Sequence, residues 1–146
     1  MGHILVTGSS RGIGRAALES LAARGAKVIG HASRLAPSQA GGAPIIAADF
    51  GDPLAAQSLW EQALDIADGE IDVVVNNAGR FEANRLDRSD IEWLDAWEDT
   101  LRVNLTSAAQ LSRFAVNHWH ERSFGGRLVH VASRAAYRGD SPAHWH

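Results

Sequence analysis

The stretch whose residue types most clearly suggest chemistry spans residues 7–14 and reads Thr-Gly-Ser-Ser-Arg-Gly-Ile-Gly. It follows an apolar run at 4–6 and precedes a helical pattern. A strand-to-helix turn of this kind can seat a diphosphate, because it bends sharply, brings its backbone close and points helix N–H groups at negative charge. Gly8, Gly12 and Gly14 remove side chains that would obstruct those tasks. The alternative is a helix start that happens to hold glycines, since such a pattern alone is weak evidence.

Two pairs of histidines invite a metal-binding interpretation, His118 with His120 and His144 with His146. Side chains two residues apart on a helix point away from each other, so the first pair is poorly placed to chelate. The second pair could converge in an extended segment, but no carboxylate or further ligand lies beside it at a familiar spacing. The chain contains no cysteine, which excludes disulfides and thiolate metal sites. We therefore predict no metal site.

The overall composition limits the class of protein. With 146 residues and 45% hydrophobic content, the chain is long enough to bury a core, and we predict a single domain over residues 1–146. The formal net charge of -3 and the scattered arginines provide no basic surface, so nucleic acid is not an expected partner. We find no secretory leader and no apolar run of membrane-spanning length, and expect a soluble cytoplasmic protein without a membrane partner.

The candidate residues must be positioned by regular elements. Short apolar runs predict strands at 4–6, 27–31, 45–48, 71–75 and 128–131, with a loop over 32–44. Apolar residues at helical spacing predict helices over 13–25, 52–69 and 89–125, the last with a break near Asp95. Asp52 before Pro53 is typical of a capped helix start, and Ser89 with Glu92 has capping-box spacing.

Strands and helices alternate along the whole chain, which predicts an α/β fold with a doubly wound parallel sheet in three layers. Ligands bind such sheets beyond the carboxyl ends of the strands. The segments after four of the five predicted strands are 8–14, 32–34, 76–79 and Ser133. The informative polar groups are therefore expected on one rim of the sheet.

Several of these segments resemble, in order, motifs of the short-chain dehydrogenases/reductases, a Rossmann-like family. They are the TGxxxGxG pattern at 7–14, Asp49 after the third strand, Asn-Asn-Ala-Gly at 76–79, Asn104 inside the long helix and Ser133 after the fifth strand. Their joint occurrence is far more specific than the glycines alone. The resemblance covers the whole chain, but only the front half or somewhat more of a typical member.

The resemblance implies an oxidoreductase that transfers a hydride reversibly between a nicotinamide and a small-molecule alcohol or carbonyl. It implies that Ser133 holds the substrate carbonyl and that Asn104 helps to position a proton-relay water. The implied cofactor-binding residues are Thr7, Gly8, Ser10, Arg11, Gly12, Ile13, Gly14, Asp49, Phe50, Asn76, Ala78 and Gly79, to which the charge of the region after the second strand adds Ser33 and Arg34. Within this set, Asp49 and Phe50 would bracket the adenine. Taken singly, Asp49 could also be an ordinary loop acid, and Asn104 a polar residue on an exposed helix face.

One departure from the family pattern concerns the proton donor. In the family it is the tyrosine of a Tyr-x-x-x-Lys motif, whose lysine lowers the tyrosine pKa. Here Tyr137 is the only tyrosine, with Ser141 four positions later, and Lys27 is the only lysine. We therefore expect a truncated member that lacks the family's C-terminal strands and helix and is inactive on its own. A dinucleotide-binding protein without turnover and, more weakly, an interaction module are the alternatives.

The choice of cofactor can be argued from charge. A site that prefers NAD(H) usually has an acid at the end of the second strand, whereas a 2′-phosphate needs cations or neutral donors there. This region reads His31-Ala32-Ser33-Arg34, without an acid, and Arg11 is near enough to join it. The sequence therefore favours NADP(H) over NAD(H), unless both arginines merely solvate the surface. The long helix around Asn104 resembles one that pairs across the family's dimer interface, so a homo-oligomer is expected at full length.

Overall fold

The structure is a computed structural model that describes residues 2–34, 39–40, 42–133 and 137. Strands and helices alternate along it. In chain order they are β1 His3–Val6, α1 Gly12–Ala23, β2 Val28–Ala32, β3 Gln39–Ala40, β4 Ala43–Ala47, α2 Ala55–Ile66, β5 Ile71–Asn76, α3 Asp90–Leu101, a π-helical turn Arg102–Thr106, α4 Ser107–Glu121 and β6 Arg127–His130.

The strands form one sheet in the order β3-β4-β2-β1-β5-β6. The pairs β1–β2, β1–β5, β2–β4 and β5–β6 are parallel, and only β3 pairs antiparallel among the described strands. The chain moves outward from β1 to β2 and β4, then returns past β1 to β5. The predicted doubly wound α/β fold is therefore confirmed, and the reversal lies beside the carboxyl end of β1, where such sheets bind ligands.

Two apolar clusters lie on opposite faces of the sheet, because successive side chains of a strand point to opposite faces. Leu5 contributes to one cluster, while Ile4 and Val6 contribute to the other. The first cluster includes residues of α2 and α4, and the second includes Leu18 of α1. Helices thus cover both faces of the central strands, which explains why β1 is a continuous apolar run rather than an alternating one.

The segment 32–44, predicted as a loop, contains β3 and the start of β4. Gln39 pairs with Pro44 and Ala40 with Ala43, so β4 begins two residues earlier than predicted. Gly42 has a φ of +81°, a conformation that glycine adopts without strain. The Gly-Gly pair at 41–42 is consistent with the predicted loop, but it is also typical of a hairpin turn.

The predicted helix boundaries also need correction. Helix α2 begins at Ala55, but Asp52 still acts just before it, because its Oδ1 accepts the Leu54 N–H at 2.8 Å. The capping box of α3 is confirmed: Ser89 and Glu92 each accept the other's backbone N–H. The break expected near Asp95 is wrong, since α3 is continuous there and the irregularity is the π-helical turn at 102–106.

None of the helices in the described part of the chain combines the length and the apolar character needed to cross a membrane.

Candidate functional site

A cavity of about 900 Å³ opens beyond the carboxyl ends of β1, β2, β4 and β5. Most of the site residues predicted from the sequence line it: Gly8, Ser10, Arg11, Gly12, Ile13, Gly14, Ser33, Arg34, Asp49, Phe50, Ala78 and Gly79. The lining also includes residues that the sequence did not single out as binding residues: His31, Asn77, Arg80, Phe81 and Val103. The segments 8–14, 32–34 and 76–79 of the predicted rim thus contribute to a single concave surface, whereas Ser133 is not among its lining residues.

The glycine turn is shaped by close backbone approaches. Gly8 has a φ of +65°, and a Cβ there would lie 2.7 Å from the Cα of Ala78. A Cβ on Gly14 would overlap the carbonyl oxygen of Gly8 and the side-chain nitrogen of Asn77. A Cβ on Gly12, by contrast, would meet nothing within 4 Å. Gly8 and Gly14 therefore let the turn contact the segment 76–79, whereas Gly12 supplies a positive φ of +59° and leaves open space.

The N-terminus of α1 is equipped to receive an anion. Its N-cap residue, Arg11, makes no side-chain capping bond, and the first turn contains no acidic residue. The first amides of a helix have no partner within the helix and carry its partial positive charge. Together with the space beside Gly12, these amides fit a diphosphate group.

Thr7 does not line the cavity, although it belongs to the glycine motif. It is buried, and its hydroxyl accepts the N–H groups of Asn77 at 3.0 Å and Ala78 at 2.9 Å while donating to the Val75 carbonyl at 3.3 Å. The threonine therefore joins the end of β1 to the end of β5. Its place in the motif is structural support for the turn.

Asn76 and Asn77 point in opposite directions. Asn76 is buried and its Nδ2 donates to the Ser112 hydroxyl of α4 at 3.2 Å, away from the cavity. Asn77 lines the cavity, and its Nδ2 donates to the carbonyls of Thr7 at 2.9 Å and Gly8 at 3.1 Å. The sequence analysis includes Asn77 in the 76–79 motif but not among the individual binding residues, although the alternation of side chains along a strand separates the two neighbours.

His31 is the second missed residue of the site. It lies at the end of β2 and is buried, its Nδ1 3.1 Å from the Gly8 N–H group and its Nε2 2.7 Å from the Ala48 carbonyl. Its ring stacks on Phe50 with centroids 4.3 Å apart. Burial lowers the pKa of His31, and this outweighs the opposing effects of the Ala48 hydrogen bond and the Asp49 charge. A histidine at a strand end carries no sequence signal that would distinguish this role from an ordinary core position.

The charged residues of the cavity are mostly cationic. Arg11 comes from the glycine turn, Arg34 from the segment after β2, and both are exposed. Asp49 lines the cavity as well, but its Oδ1 accepts the Gly51 N–H at 3.0 Å in the turn after β4. The end of β2 therefore presents an arginine and Ser33, with no acid of its own.

Asn104 lies in the π-helical turn and forms a paired amide contact with one residue. Its Oδ1 accepts the Arg80 N–H at 2.7 Å and its Nδ2 donates to the Arg80 carbonyl at 2.8 Å. In the π-helical turn the Ser107 N–H reaches back to Arg102, and the Ser107 hydroxyl donates to the Val103 carbonyl at 2.8 Å. The irregular turn thus places Asn104 against the segment that follows the 76–79 motif.

The remaining polar candidates are spread along the sheet. Ser133 is exposed and follows β6 by three residues, beyond its carboxyl end, and Tyr137 is also exposed. Lys27 immediately precedes β2, so it lies at the amino end of a parallel strand. His118 contacts the Gly69 carbonyl at 2.9 Å and His120 is exposed, while His144 and His146 fall outside the described residues. Over the residues that the structure describes, no three or more ligating side chains form a group able to hold a metal ion.

A parallel sheet with a glycine turn at the reversal of strand order defines a Rossmann-type nucleotide-binding fold. A family model for the short chain dehydrogenases matches residues 2–143, and the chain belongs to this family of oxidoreductases.

Similar proteins agree with that assignment. The chain is 39% identical over 142 residues to 3-oxoacyl-(acyl-carrier-protein) reductase FabG of Escherichia coli, covering 93% of this chain and 56% of that protein. It is similar to the structure of a short-chain dehydrogenase/reductase from Serratia marcescens, with a TM-score of 0.77, 32% identity and coverage of 99% and 64%. A 4-hydroxyisoleucine dehydrogenase complexed with NADH has the same fold, with a TM-score of 0.82, 24% identity and coverage of 99% and 62%. The chain spans just over half the length of the curated relatives it matches.

Proposed function

We propose that this chain supplies the dinucleotide-binding part of a short-chain dehydrogenase/reductase that interconverts a small-molecule alcohol and its carbonyl compound. The observation that carries the proposal is the cavity at the carboxyl ends of the strands, with the glycine turn and the uncapped start of α1 on one side. When bound, a nicotinamide dinucleotide supplies the hydride chemistry. The chain's own contribution is to bind and orient it.

The residues divide into those that receive the diphosphate and those that bound the rest of the dinucleotide. Ser10, Ile13 and the three glycines would form the diphosphate seat. Asp49 and Phe50, beyond β4, would flank the adenine, and Ala78 with Gly79 would lie beside the nicotinamide ribose. Thr7, Asn76 and Asn77 would act indirectly, since their side chains brace the ends of β1 and β5.

NADP(H) is the cofactor we propose over NAD(H). Arg11 and Arg34 line the cavity, and the end of β2 contributes Ser33 but no acid. Guanidinium groups bind phosphate strongly, whereas NAD(H) sites usually offer a carboxylate to the ribose hydroxyls. The fold alone does not favour either cofactor, since a structural neighbour of the same fold is described with NADH. The proposal therefore depends on the charges at this position.

An Arg34→Glu variant tests this preference. The Kd values of NADP+ and NAD+ are measured by quenching of tryptophan fluorescence, and Arg24→Glu, an exposed arginine outside the cavity, is the matched control. We expect the ratio of the two Kd values to move toward NAD+ by about tenfold or more in Arg34→Glu only, since a charge-assisted hydrogen bond contributes about 1.5–3 kcal/mol. An unchanged ratio would reject the NADP(H) preference.

Ser133 and Asn104 are the proposed members of the catalytic site. Ser133 would hold the substrate carbonyl. Asn104 would contribute to proton relay by fixing the Arg80 segment, because both ends of its side chain are engaged with the Arg80 peptide. It is therefore best tested as a positioning residue: an Asn104→Asp variant keeps the acceptor but loses the donor to the Arg80 carbonyl.

Dinucleotide binding without turnover is the second candidate function, and the positions of two residues favour it for this chain alone. Lys27 lies at the amino end of β2, whereas Tyr137 follows the carboxyl end of β6. Lys27 therefore lies at the opposite end of the parallel strands from the cavity and is not among the residues that line it. Binding of NADP+ combined with no oxidation of NADPH by a panel of carbonyl compounds would favour this candidate. Measurable turnover by the chain would reject it.

For the whole protein we also propose a cytoplasmic location and assembly into a homo-oligomer. We propose that residues 1–146 form a single domain, for which a single cooperative unfolding transition is the expected observation.

A further inference from the structure

The ring of His31 bridges two segments of the cofactor site that are far apart in sequence. One ring nitrogen faces the backbone N–H of Gly8 in the glycine turn, at 3.1 Å, and the other faces the backbone carbonyl of Ala48 after β4, at 2.7 Å. The backbone of His31 is fixed as well, because its N–H donates to the Ser9 hydroxyl at 2.9 Å and its carbonyl accepts the Ser9 N–H at 2.8 Å. The imidazole is therefore held through both ring nitrogens and through the backbone of His31.

The two ring partners determine the protonation state of the imidazole. The Gly8 N–H can only donate, so Nδ1 must carry a lone pair. The Ala48 carbonyl can only accept, so Nε2 must carry the proton. The contacts are thus those of the neutral Nε2–H tautomer. A proton added at Nδ1 would place two N–H groups against each other and remove the bond to Gly8.

Loss of the hydrogen bond between His31 and Gly8 would affect a bound ligand through Gly8. This glycine has a φ of +65°, lines the cavity and lies so close to the 76–79 segment that a Cβ on it would be 2.7 Å from the Cα of Ala78. Its carbonyl is held by Asn77, so the His31 ring holds the other side of the same residue. With the ring protonated, the part-buried Gly8 N–H would lose its acceptor and face a second donor.

We propose that His31 is a positioning residue for the dinucleotide, whose neutral ring holds Gly8 in the binding conformation and whose protonation releases it and weakens binding. This inference rests on the proposed function, because it concerns the affinity of that site. It adds a proton-linked control of the glycine turn by a side chain that need not touch the ligand.

The charged groups around the ring do not prevent its pKa from being lowered. Asp49, after β4, is the acid whose charge acts on His31, and it favours protonation. Arg11 of the glycine turn, Arg34 after β2 and Arg80 after β5 line the same cavity. Burial is the largest influence and lowers the pKa of the ring. The release is therefore expected in mildly acidic solution, below the ordinary histidine value of 6.5.

The experiment measures the Kd of NAD+ between about pH 8 and about pH 5, a range that spans histidine titration. NAD+ is the probe because it lacks the 2′-phosphate, whose own proton dissociates near pH 6 and would produce a separate pH dependence. NADP+ is titrated in parallel. The change of Kd with pH is evaluated only over the pH range in which the circular dichroism spectrum of the protein is unchanged. The test variant is His31→Gln, which has an acceptor and a donor but does not titrate, and the control is His120→Gln on the exposed side of α4.

We expect the Kd of NAD+ for the native chain and for His120→Gln to rise by about tenfold for each pH unit below the pKa of the ring, because the protonated ring must release one proton when NAD+ binds. The Kd for His31→Gln is expected to be flat over the same range. A flat profile for the native chain, or the same slope in His31→Gln, would overturn the proposal.

A second measurement needs no ligand. Nitrogen-15 NMR of the histidine rings should show His31 as the Nε2–H tautomer, and the Gly8 amide resonance should shift with the same midpoint as the ring. A Gly8 amide that does not follow His31 would overturn the proposal even if the affinity depends on pH. Failure of both dinucleotides to bind at every pH would instead reject the proposed function, and the hold of the ring on Gly8 would then be judged by NMR alone.

Discussion

Replacing Asn77 by alanine should separate the turn from the strand end that supports it. The Asn77 Nδ2 donates to the carbonyls of Thr7 at 2.9 Å and Gly8 at 3.1 Å. Each such bond contributes a net of about 1 kcal/mol, so we expect the free energy of unfolding to fall by about 2 kcal/mol. With a urea m-value of about 2 kcal/mol per M, the unfolding midpoint should fall by about 1 M. The assay is urea unfolding followed by tryptophan fluorescence.

The matched control is Asn117→Ala, because Asn117 is exposed on α4 and the same atoms are removed there. It should leave the midpoint nearly unchanged, since surface substitutions of this kind usually fall within about 0.5 kcal/mol. Titration with NADP+ supplies a second readout, and only Asn77→Ala should weaken binding. If the two variants unfolded at the same urea concentration, the reasoning that Asn77 holds the glycine turn would be refuted.

Three further changes test other parts of the structure. In Gly126→Ala the new Cβ would overlap the Trp119 ring, so the free energy of unfolding measured by thermal unfolding should fall by about 1–3 kcal/mol. Gly125→Ala, where a Cβ meets nothing within 4 Å, should leave it nearly unchanged, and equal losses in the two variants would contradict this. Ser89→Ala removes the capping box and should cost about 1 kcal/mol, with lower helicity by circular dichroism; an unchanged midpoint would argue against the cap. Burial lowers the pKa of His31 in the folded state, so below the ordinary histidine pKa of 6.5 the unfolded chain binds more protons than the folded chain. The free energy of unfolding should therefore be highest above pH 6.5 and should fall as the pH drops toward the folded-state pKa of His31. The same fall in His31→Gln would contradict this origin.

The sequence predicts the fold where the deciding signals are local. The glycine turn, the apolar runs of β1, β2 and β5 and the capping box at Ser89 each lie within a few residues, and the structure has them close to where they were expected. The β3–β4 hairpin is different, since β3 has two residues and depends on its pairing with β4. A strand this short has no periodicity of its own, so only the Gly-Gly pair could have indicated it.

The irregularity in the long helix shows a second limit. The sequence analysis predicts a break near Asp95, but the backbone departs from α-helix at 102–106. The paired contacts there join Asn104 to the Arg80 peptide, 24 residues away in the chain. A long-range contact of this kind leaves no local pattern, although Asn104 itself was found through the family resemblance.

The residues that shape the candidate site most directly are those that join strand ends. Gly8 is held on both sides, its carbonyl by Asn77 and its N–H by His31, and a side chain at Gly8 itself would overlap the 76–79 segment. Thr7 adds two bonds to the same segment. The turn therefore owes its shape to β2 and β5 as much as to its own glycines. A glycine pattern indicates where a dinucleotide can bind, but the neighbouring strands determine whether the turn keeps the conformation that binding requires.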